Sequence, residues 1–197
     1  NRLLVAECRD LLIRYHQGNS RLQALCDFIA DEWSAARVSI ISVEEEFGMV
    51  LASGGPESIP AESRTEPKKL GPFLRRACKQ NQMLYAPVAE ELGHELQTQG
   101  LKHSSLAIPL LEADKVRAVL CMMVDEGERI PPRDATQLEL LVESLALELL
   151  ASVAQNVEEN RNRQLLSIAL QADALAVAIC HAHHAATARA WTFAEAR

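Results

Sequence analysis

Two apolar runs decide the fold: His103-Ser-Ser-Leu-Ala-Ile-Pro-Leu-Leu111 and Val116-Arg-Ala-Val-Leu-Cys-Met-Met-Val124, joined by the charged turn Glu112-Ala-Asp-Lys115. Aliphatic runs of this length around a compact polar turn predict a β-hairpin. Because both runs are apolar almost throughout, we expect them in the centre of a sheet. Pro109 lacks an amide donor, so it should lie at a bulge or where its amide position faces no neighbouring strand.

The residues at the start of the chain predict helices and then a second hairpin. Ser20 is a good N-cap residue, and the apolar positions from Arg21 to Trp33 recur at helical spacing. The β-branched stretch Arg37 to Val43 and the stretch Phe47 to Ala52 follow, separated by three glutamates. Their composition and alternation are typical of two paired strands, which would begin the sheet.

Between the two hairpins the pattern is shorter and more polar. Gly71-Pro72 is placed to open a short helix that ends near Gln80. A short strand from Met83 to Ala86 should follow. The polar segment from Pro87 to Gly100 is expected to lie over the sheet as a lid.

From Pro131-Pro132 onward the pattern predicts one long helix, because no proline follows. Asp134 and Gln137 have the spacing of a capping box. Apolar side chains then recur close to the rhythm of a coiled-coil seam, which predicts a parallel homodimer. The positions of this predicted dimer seam are Leu138, Val142, Leu145, Leu149, Val153 and Val157.

The end of the chain carries a second apolar stripe and a histidine-rich tail. After the polar stretch Glu158 to Gln164, the stripe resumes at Leu165, Ile168, Ala172, Leu175 and Ile179, which predicts a second dimer seam or an antiparallel packing segment. Cys180, His181, His183 and His184 are zinc-ligand types. Their place on an alanine-rich terminal helix favours surface imidazoles, so we predict no metal site.

The order of these elements resembles the GAF family, small sensory domains related in fold to PAS domains. The resemblance depends mainly on Ser105, Leu106, Pro109 and Leu110 in the first apolar run and on Asp134 at the start of the last helix. It covers residues 20–154, with an N-terminal dimerisation helix over 1–19 and a C-terminal signalling helix over 155–197. It implies an α/β (α+β) fold, in which an antiparallel sheet of about five to six strands carries the end helices on one face and the lid on the other. A long coiled-coil-like helix would follow.

The same resemblance places a small-molecule ligand between the sheet and the lid. Candidate ligand-binding residues are Ser39, Tyr85, His103 and Ser105, for each of which core filling or local hydrogen bonding is the alternative. His94 and His103 flank the lid, where an imidazole would contact an anion or report pH, or would simply be solvated. The residues of cyclic-nucleotide-binding members are missing between Asn81 and Leu101, and Cys180-His181 lies too late in the chain for a bilin site. The ligand and any cofactor therefore stay unknown.

Composition excludes several classes of function. The net charge is −7 and no long cluster of Lys or Arg is present, so we expect no nucleic-acid partner. No run of apolar residues is long enough for a membrane span, and the charged stretch Asn1 to Asp10 is unlike a signal peptide, which favours the cytoplasm. The five widely spaced cysteines are interpreted as reduced and mostly buried.

A nucleophile beside a base, a phosphate-binding glycine loop and a dense set of carboxylates are all missing from the sequence, so we expect no enzyme activity within this chain. The predicted function is a regulatory sensor and dimerisation module of a multidomain, bacterial-style signalling protein. It would bind a small molecule and relay that event through the C-terminal helix to an effector. The alternatives are a ligand-free dimerisation spacer, or a regulatory fragment of a nucleotide cyclase or histidine kinase.

Overall fold

The structure, a computed structural model, describes residues 2–15, 18–64, 66–86, 103–126 and 128–195. The predicted lid, with His94, therefore lies outside the described residues. The elements in chain order are α1 (Arg2–Arg14), α2 (Gly18–Glu32), β1 (Arg37–Glu44), β2 (Phe47–Gly54), a 3-10 turn (Ala61–Arg64), β3 (Lys68–Lys69), α3 (Pro72–Gln80), β4 (Leu84–Ala86), β5 (His103–Glu112), β6 (Lys115–Glu126), α4 (Pro132–Ser144) and α5 (Ala146–Glu195).

The strands form one antiparallel sheet in the order β3-β2-β1-β6-β5-β4. Both predicted hairpins are present, and β6 and β5 lie inside the sheet as their apolar sequences predict. Pro109 pairs with Val119, next to a register shift between Leu110 and Leu111. Strand β4 pairs with β5 only at Ser105, Leu106 and Ala107. Pro109 lies beyond this paired stretch, so its missing amide donor deprives no carbonyl group of β4 of a hydrogen bond.

Helices cover one face of the sheet, which we call the first face. Alternate residues of the strands point to it, among them Val38 and Ile40 of β1 and Leu106 and Ile108 of β5. They form one apolar core with buried side chains of α1, α2 and α4. Gly54 allows α2 to approach the sheet closely, because a Cβ at this position would lie 2.5 Å from the backbone nitrogen of Asp27.

The last helical region consists of two helices and not of the single helix that the sequence pattern predicts. Helix α4 ends at Ser144 and α5 begins at Ala146, with Leu145 between them at φ −111° and ψ 8°. The apolar side chains on either side of this break point into the same core. The break therefore lets two successive helices pack on the domain.

The residues predicted for the dimer seam lie mostly inside the chain's own core. Leu138, Val142, Leu145, Leu149 and Val153 are each at most 4% exposed and pack in the first-face core, whereas Val157 is 37% exposed. Packing within one chain thus accounts for their spacing, since a core-facing stripe and a dimer seam have similar periods. Pairing of two chains stays a prediction and needs another face of the helix.

The chain divides into two compact units, Asn1–Val157 and Glu158–Arg197. Helix α1, predicted to mediate dimerisation, belongs to the first unit: Cys8 and Leu12 are buried in its core, and Arg9 Nε lies 2.8 Å from Glu148 Oε1. Its part in dimerisation is a prediction. In the second unit, every side chain from Arg161 to Leu175 is exposed.

In the described part of the chain, no single helix is both long and apolar enough to cross a membrane. Taken together, the bent pair Pro132–Ser144 and Ala146–Ile179 passes the same test by length and composition only.

Candidate functional site

The face of the sheet opposite the helices α1, α2 and α4, which we call the second face, carries both apolar and polar side chains. Ile41, Ala107, Val119 and Met123 pack there against Phe73 and Leu74 of α3. Strand alternation directs Arg37 and Ser39 of β1 to this same face as Ile41. The second face therefore combines an apolar floor with buried polar groups, as ligand sites in proteins commonly do.

A cavity of about 210 Å³ lies on the second face. Its floor is formed by strands β1 and β2, and the chain between β2 and α3 forms its wall. We call the described residues of this segment, 58–64 and 66–70, the cavity wall. The lining residues are Arg37, Ile41, Gly48, Val50, Ser58, Ile59, Pro60, Ser63, Arg64, Glu66, Lys68, Lys69 and Leu70.

Arg37 is the buried charge of this site. It is 3% exposed, and its Nη2 donates a hydrogen bond to Met123 Sδ at 2.7 Å. Burial lowers the pKa of the Arg37 guanidinium, whereas the nearby Cys121 and Glu57 groups raise it. An arginine stays protonated in proteins even when its pKa is lowered, so the cavity has a fixed positive charge in its lining.

Hydrogen bonds from Arg64 hold the cavity wall against the domain. Arg64 Nε donates to the Ile59 carbonyl oxygen at 2.7 Å, Nη1 to Gln23 Oε1 at 2.9 Å and Nη2 to the Ser53 carbonyl oxygen at 3.2 Å. Gln23 Nε2 itself donates to the Ser53 carbonyl oxygen at 2.8 Å. The guanidinium therefore joins the wall, strand β2 and helix α2 at one point.

Ser39, a predicted ligand-binding residue, is buried and hydrogen-bonded locally. Its Oγ lies 2.9 Å from Ser53 Oγ, which in turn accepts a hydrogen bond from the Ile59 amide at 3.0 Å. The Ser39 hydroxyl thus helps to fix the cavity wall to the floor. It does not line the cavity.

The other predicted ligand-binding residues are divided between the two faces. Ser105 is fully buried on the second face, and its Oγ has no hydrogen-bond partner among the described residues. Tyr85 pairs with Leu106, whose side chain faces the first face, so the register turns Tyr85 away from Ser105. His103 opens β5, and its side chain is outside the description. Of the three whose side chains are described, Ser39 and Ser105 thus share the second face, on strands that are not neighbours, and Tyr85 does not.

Sequence reasoning missed the two features that define the cavity, Arg37 and the wall. Arg37 stands at the first position of a β-branched strand, where a charged residue ordinarily marks an exposed strand end. The alternation of side chains along β1 carried a usable signal, because Arg37 must point to the same face of the sheet as Ser39 and Ile41. Both of those residues belong to the face that the predicted lid would cover.

The cysteines described by the structure are free thiols, and burial disfavours their ionisation. Burial raises the pKa of Cys8 to about 12 and that of Cys78 and Cys121 to about 11, and it raises the pKa of Cys26 as well. Among the described residues, no group of three metal-ligand side chains comes together. The side chains of Cys180, His183 and His184 lie outside that description.

Comparison with solved structures shows the same fold in several proteins. The GAF domain of an Acinetobacter phosphoenolpyruvate-protein phosphotransferase is 16% identical, with 78% of this chain and 96% of that chain covered and a TM-score of 0.61. The corresponding domain from Coxiella burnetii gives 12% identity, coverage of 78% and 94%, and a TM-score of 0.63. The free methionine-R-sulfoxide reductase of Neisseria meningitidis, solved with its substrate, gives 14%, coverage of 77% and 89%, and 0.62.

A comparison with curated proteins gives no match. The model of a GAF domain family matches residues 19–149, which is well over half of the chain. The predicted resemblance is therefore confirmed, together with the antiparallel sheet and the long C-terminal helix. This chain belongs to the GAF domain family.

Proposed function

We propose that this chain is the sensory and dimerisation module of a larger cytoplasmic signalling protein, and that it binds a small molecule in the second-face cavity. The observation that carries the proposal is the cavity itself, which has an apolar floor and a buried, charged Arg37 in its lining. The Arg37 guanidinium, with the Glu57 carboxylate nearby, would supply the polar group that orients a ligand on this apolar floor. The free, buried thiols fit a reducing compartment.

The exposed face of α5 is the surface on which two chains would pair. Positions spaced alternately four and three residues apart on this face are apolar except for Glu158 and Arg161, and this spacing is that of a coiled coil. Leu147 is 81% exposed, and Leu165 and Ile168 are 56% and 61% exposed. The positions of this revised seam are Leu147, Ala151, Ala154, Glu158, Arg161, Leu165, Ile168, Ala172, Leu175 and Ile179. We propose a parallel homodimer on this face.

A short series of hydrogen bonds supports a route from the cavity to α5. Arg64 of the cavity wall bonds Gln23 of α2 at 2.9 Å. Two residues earlier on α2, Arg21 Nη1 donates to Gln155 Oε1 of α5 at 3.3 Å. A movement of the wall would therefore reach α5 through one turn of α2, and α5 would pass it to an effector domain.

Thiol chemistry is not part of the proposed function. The Neisseria protein is named as a reductase, but the raised pKa values of Cys8, Cys78 and Cys121 disfavour the thiolate that nucleophilic sulfur chemistry requires. A sensor needs no such group.

Native mass spectrometry of the purified chain tests the proposal, followed by denaturation to release any bound compound. We expect a dimer that releases one stoichiometric small molecule. A dimer without a bound compound that also fails to bind any metabolite from a small-molecule extract would support a dimerisation spacer instead. A monomer would contradict the pairing of α5.

A further inference from the structure

We infer that the ligand of the second-face cavity is a small anion and that Arg37 is the residue that binds it. The inference rests on the proposed function, because it specifies the chemistry of the same cavity. It depends on three properties of the lining: its charge, the placement of Arg37 and its size.

The lining is basic although the chain is acidic. Arg37, Arg64, Lys68 and Lys69 contribute four cationic groups, against the carboxylate of Glu66 in the lining and that of Glu57, which acts on Arg37 from nearby. The chain as a whole has a net charge of −7. A local excess of positive charge on an acidic protein concentrates anions at that place and excludes cations.

The cations of the lining have different tasks. Arg64 holds the cavity wall through its three hydrogen bonds, and Lys69 lies 3.5 Å from Glu46 in an exposed ion pair. Lys68 is an exposed residue of the lining, so it would attract an anion but would not hold it firmly. Arg37 alone combines deep burial with a position in the cavity lining.

The surroundings of Arg37 suit an anion. A guanidinium donates two parallel hydrogen bonds to a carboxylate or phosphate, and such bonds are strengthened where water is excluded. Strand pairing places Arg37 beside Met123, and Met123 beside Ser105, in one row across the sheet. The Ser105 hydroxyl therefore stands two strands from Arg37, about 10 Å away at the spacing of a sheet, on the second face but outside the cavity lining.

The size of the cavity limits the anion. A volume of about 210 Å³ corresponds to roughly seven water molecules at ~30 Å³ each. This is room for a small organic acid, a phosphate or a short phosphate ester. Carboxylate and phosphate share the geometry that Arg37 recognises, so the experiment has to separate these two sources.

The experiment measures binding of citrate, inorganic phosphate and neutral glycerol to the full chain by isothermal titration, at constant ionic strength set with sodium chloride. We expect citrate or phosphate to bind and glycerol not to bind. Arg37→Met should lower the affinity for the anion at least tenfold. Arg37→Lys should lower it less, because the positive charge stays while the planar guanidinium with its paired donors is lost. Arg117→Met, which removes an exposed arginine of β6 outside the cavity, should bind like the unaltered chain.

The results separate this inference from the proposed function. Release of a neutral compound on denaturation, with no binding of either anion, would leave the proposed sensor function standing. It would overturn the inference that the ligand is an anion. Equal anion affinity in Arg37→Met and the unaltered chain would also overturn it. Binding of citrate but not of phosphate would assign the site to carboxylates, and the reverse would assign it to phosphates. If Arg37→Met does not fold, Arg37→Lys decides.

Discussion

Arg64 and Gln23 tie the cavity wall to the helical layer of the domain, with Arg64 Nη1 donating to Gln23 Oε1 at 2.9 Å. The two residues are far apart in sequence, and both bond the Ser53 carbonyl oxygen. This contact makes the position of the wall depend on helix α2. It is the first link in the proposed route from the cavity to α5.

Replacing Arg64 by Ala should lower the free energy of unfolding by about 2–3 kcal/mol. The estimate follows from the loss of hydrogen bonds donated by a charged group, which leaves the Ile59 and Ser53 carbonyl oxygens less satisfied. Urea denaturation measures the change. Arg117→Ala is the matched control: it removes only an exposed pair with Glu112 and should change the value by less than about 1 kcal/mol. Similar losses in both variants would contradict the anchoring role.

Two pairs of substitutions separate the revised seam from the core of the domain. Leu165→Glu with Ile168→Glu should abolish the dimer in analytical ultracentrifugation, since both side chains are exposed and lie in the revised seam. The thermal midpoint of the domain should change little.

Leu145→Glu with Leu149→Glu is the comparison pair, because these residues are buried in the core. It should unfold the domain, since each substitution buries an unpaired carboxylate. A folded monomer from this second pair, or a stable dimer from the first, would contradict the revised seam.

The buried thiols predict how stability changes at alkaline pH. The pKa of Cys121 is raised from an ordinary 9.0 to about 11, so between these values the unfolded chain loses a proton that the folded chain keeps. The stabilisation is complete below pH 9 and is lost as pH rises toward 11. Each such thiol contributes a slope of up to about 1.4 kcal/mol per pH unit.

Cys121→Ala should therefore lose less stability than the unaltered chain when pH is raised from 9 to 11, as measured by urea denaturation at each pH. The comparison at pH 7 is the internal control, since neither form of the thiol ionises there. Parallel curves for the two proteins across this window would show that Cys121 ionises freely in the folded chain.

Gly54→Ala should destabilise the domain by about 1–3 kcal/mol or more, a cost typical of added volume in a packed site. The added Cβ would lie 2.5 Å from the Asp27 nitrogen and from the Cys26 carbonyl carbon, which are backbone atoms and cannot turn aside. The thermal midpoint checks this prediction. An unchanged midpoint would mean that α2 can move away from the sheet at no cost.

The sequence predicted the sheet well because its strands are long and consistently patterned. The runs ending at Leu111 and Val124 could be assigned without tertiary information, since apolar residues on both faces require a central position. The break at Leu145 could not be foreseen. No glycine or proline marks it, and the apolar spacing continues through it because both helices turn their stripes to one core.

The site was predicted only in outline. Of the predicted ligand-binding residues, Ser39 and Ser105 lie on the second face, whereas Tyr85 does not, because a three-residue strand gives too little pattern to fix its phase. Arg37 and the cavity wall were missed. The cavity wall contains only a short 3-10 turn and a two-residue strand, which leave no periodic signature in sequence.

Hydrogen–deuterium exchange tests the central claim, that occupancy of the cavity is transmitted to α5, most directly. Exchange would be measured on the full chain with and without the anion that binds most tightly in the titrations. The account predicts slower exchange both in the cavity wall and in the part of α5 around Gln155, with the second effect lost in Arg21→Met. Slower exchange confined to the wall would contradict the relay and leave a binding site without a route to the helix.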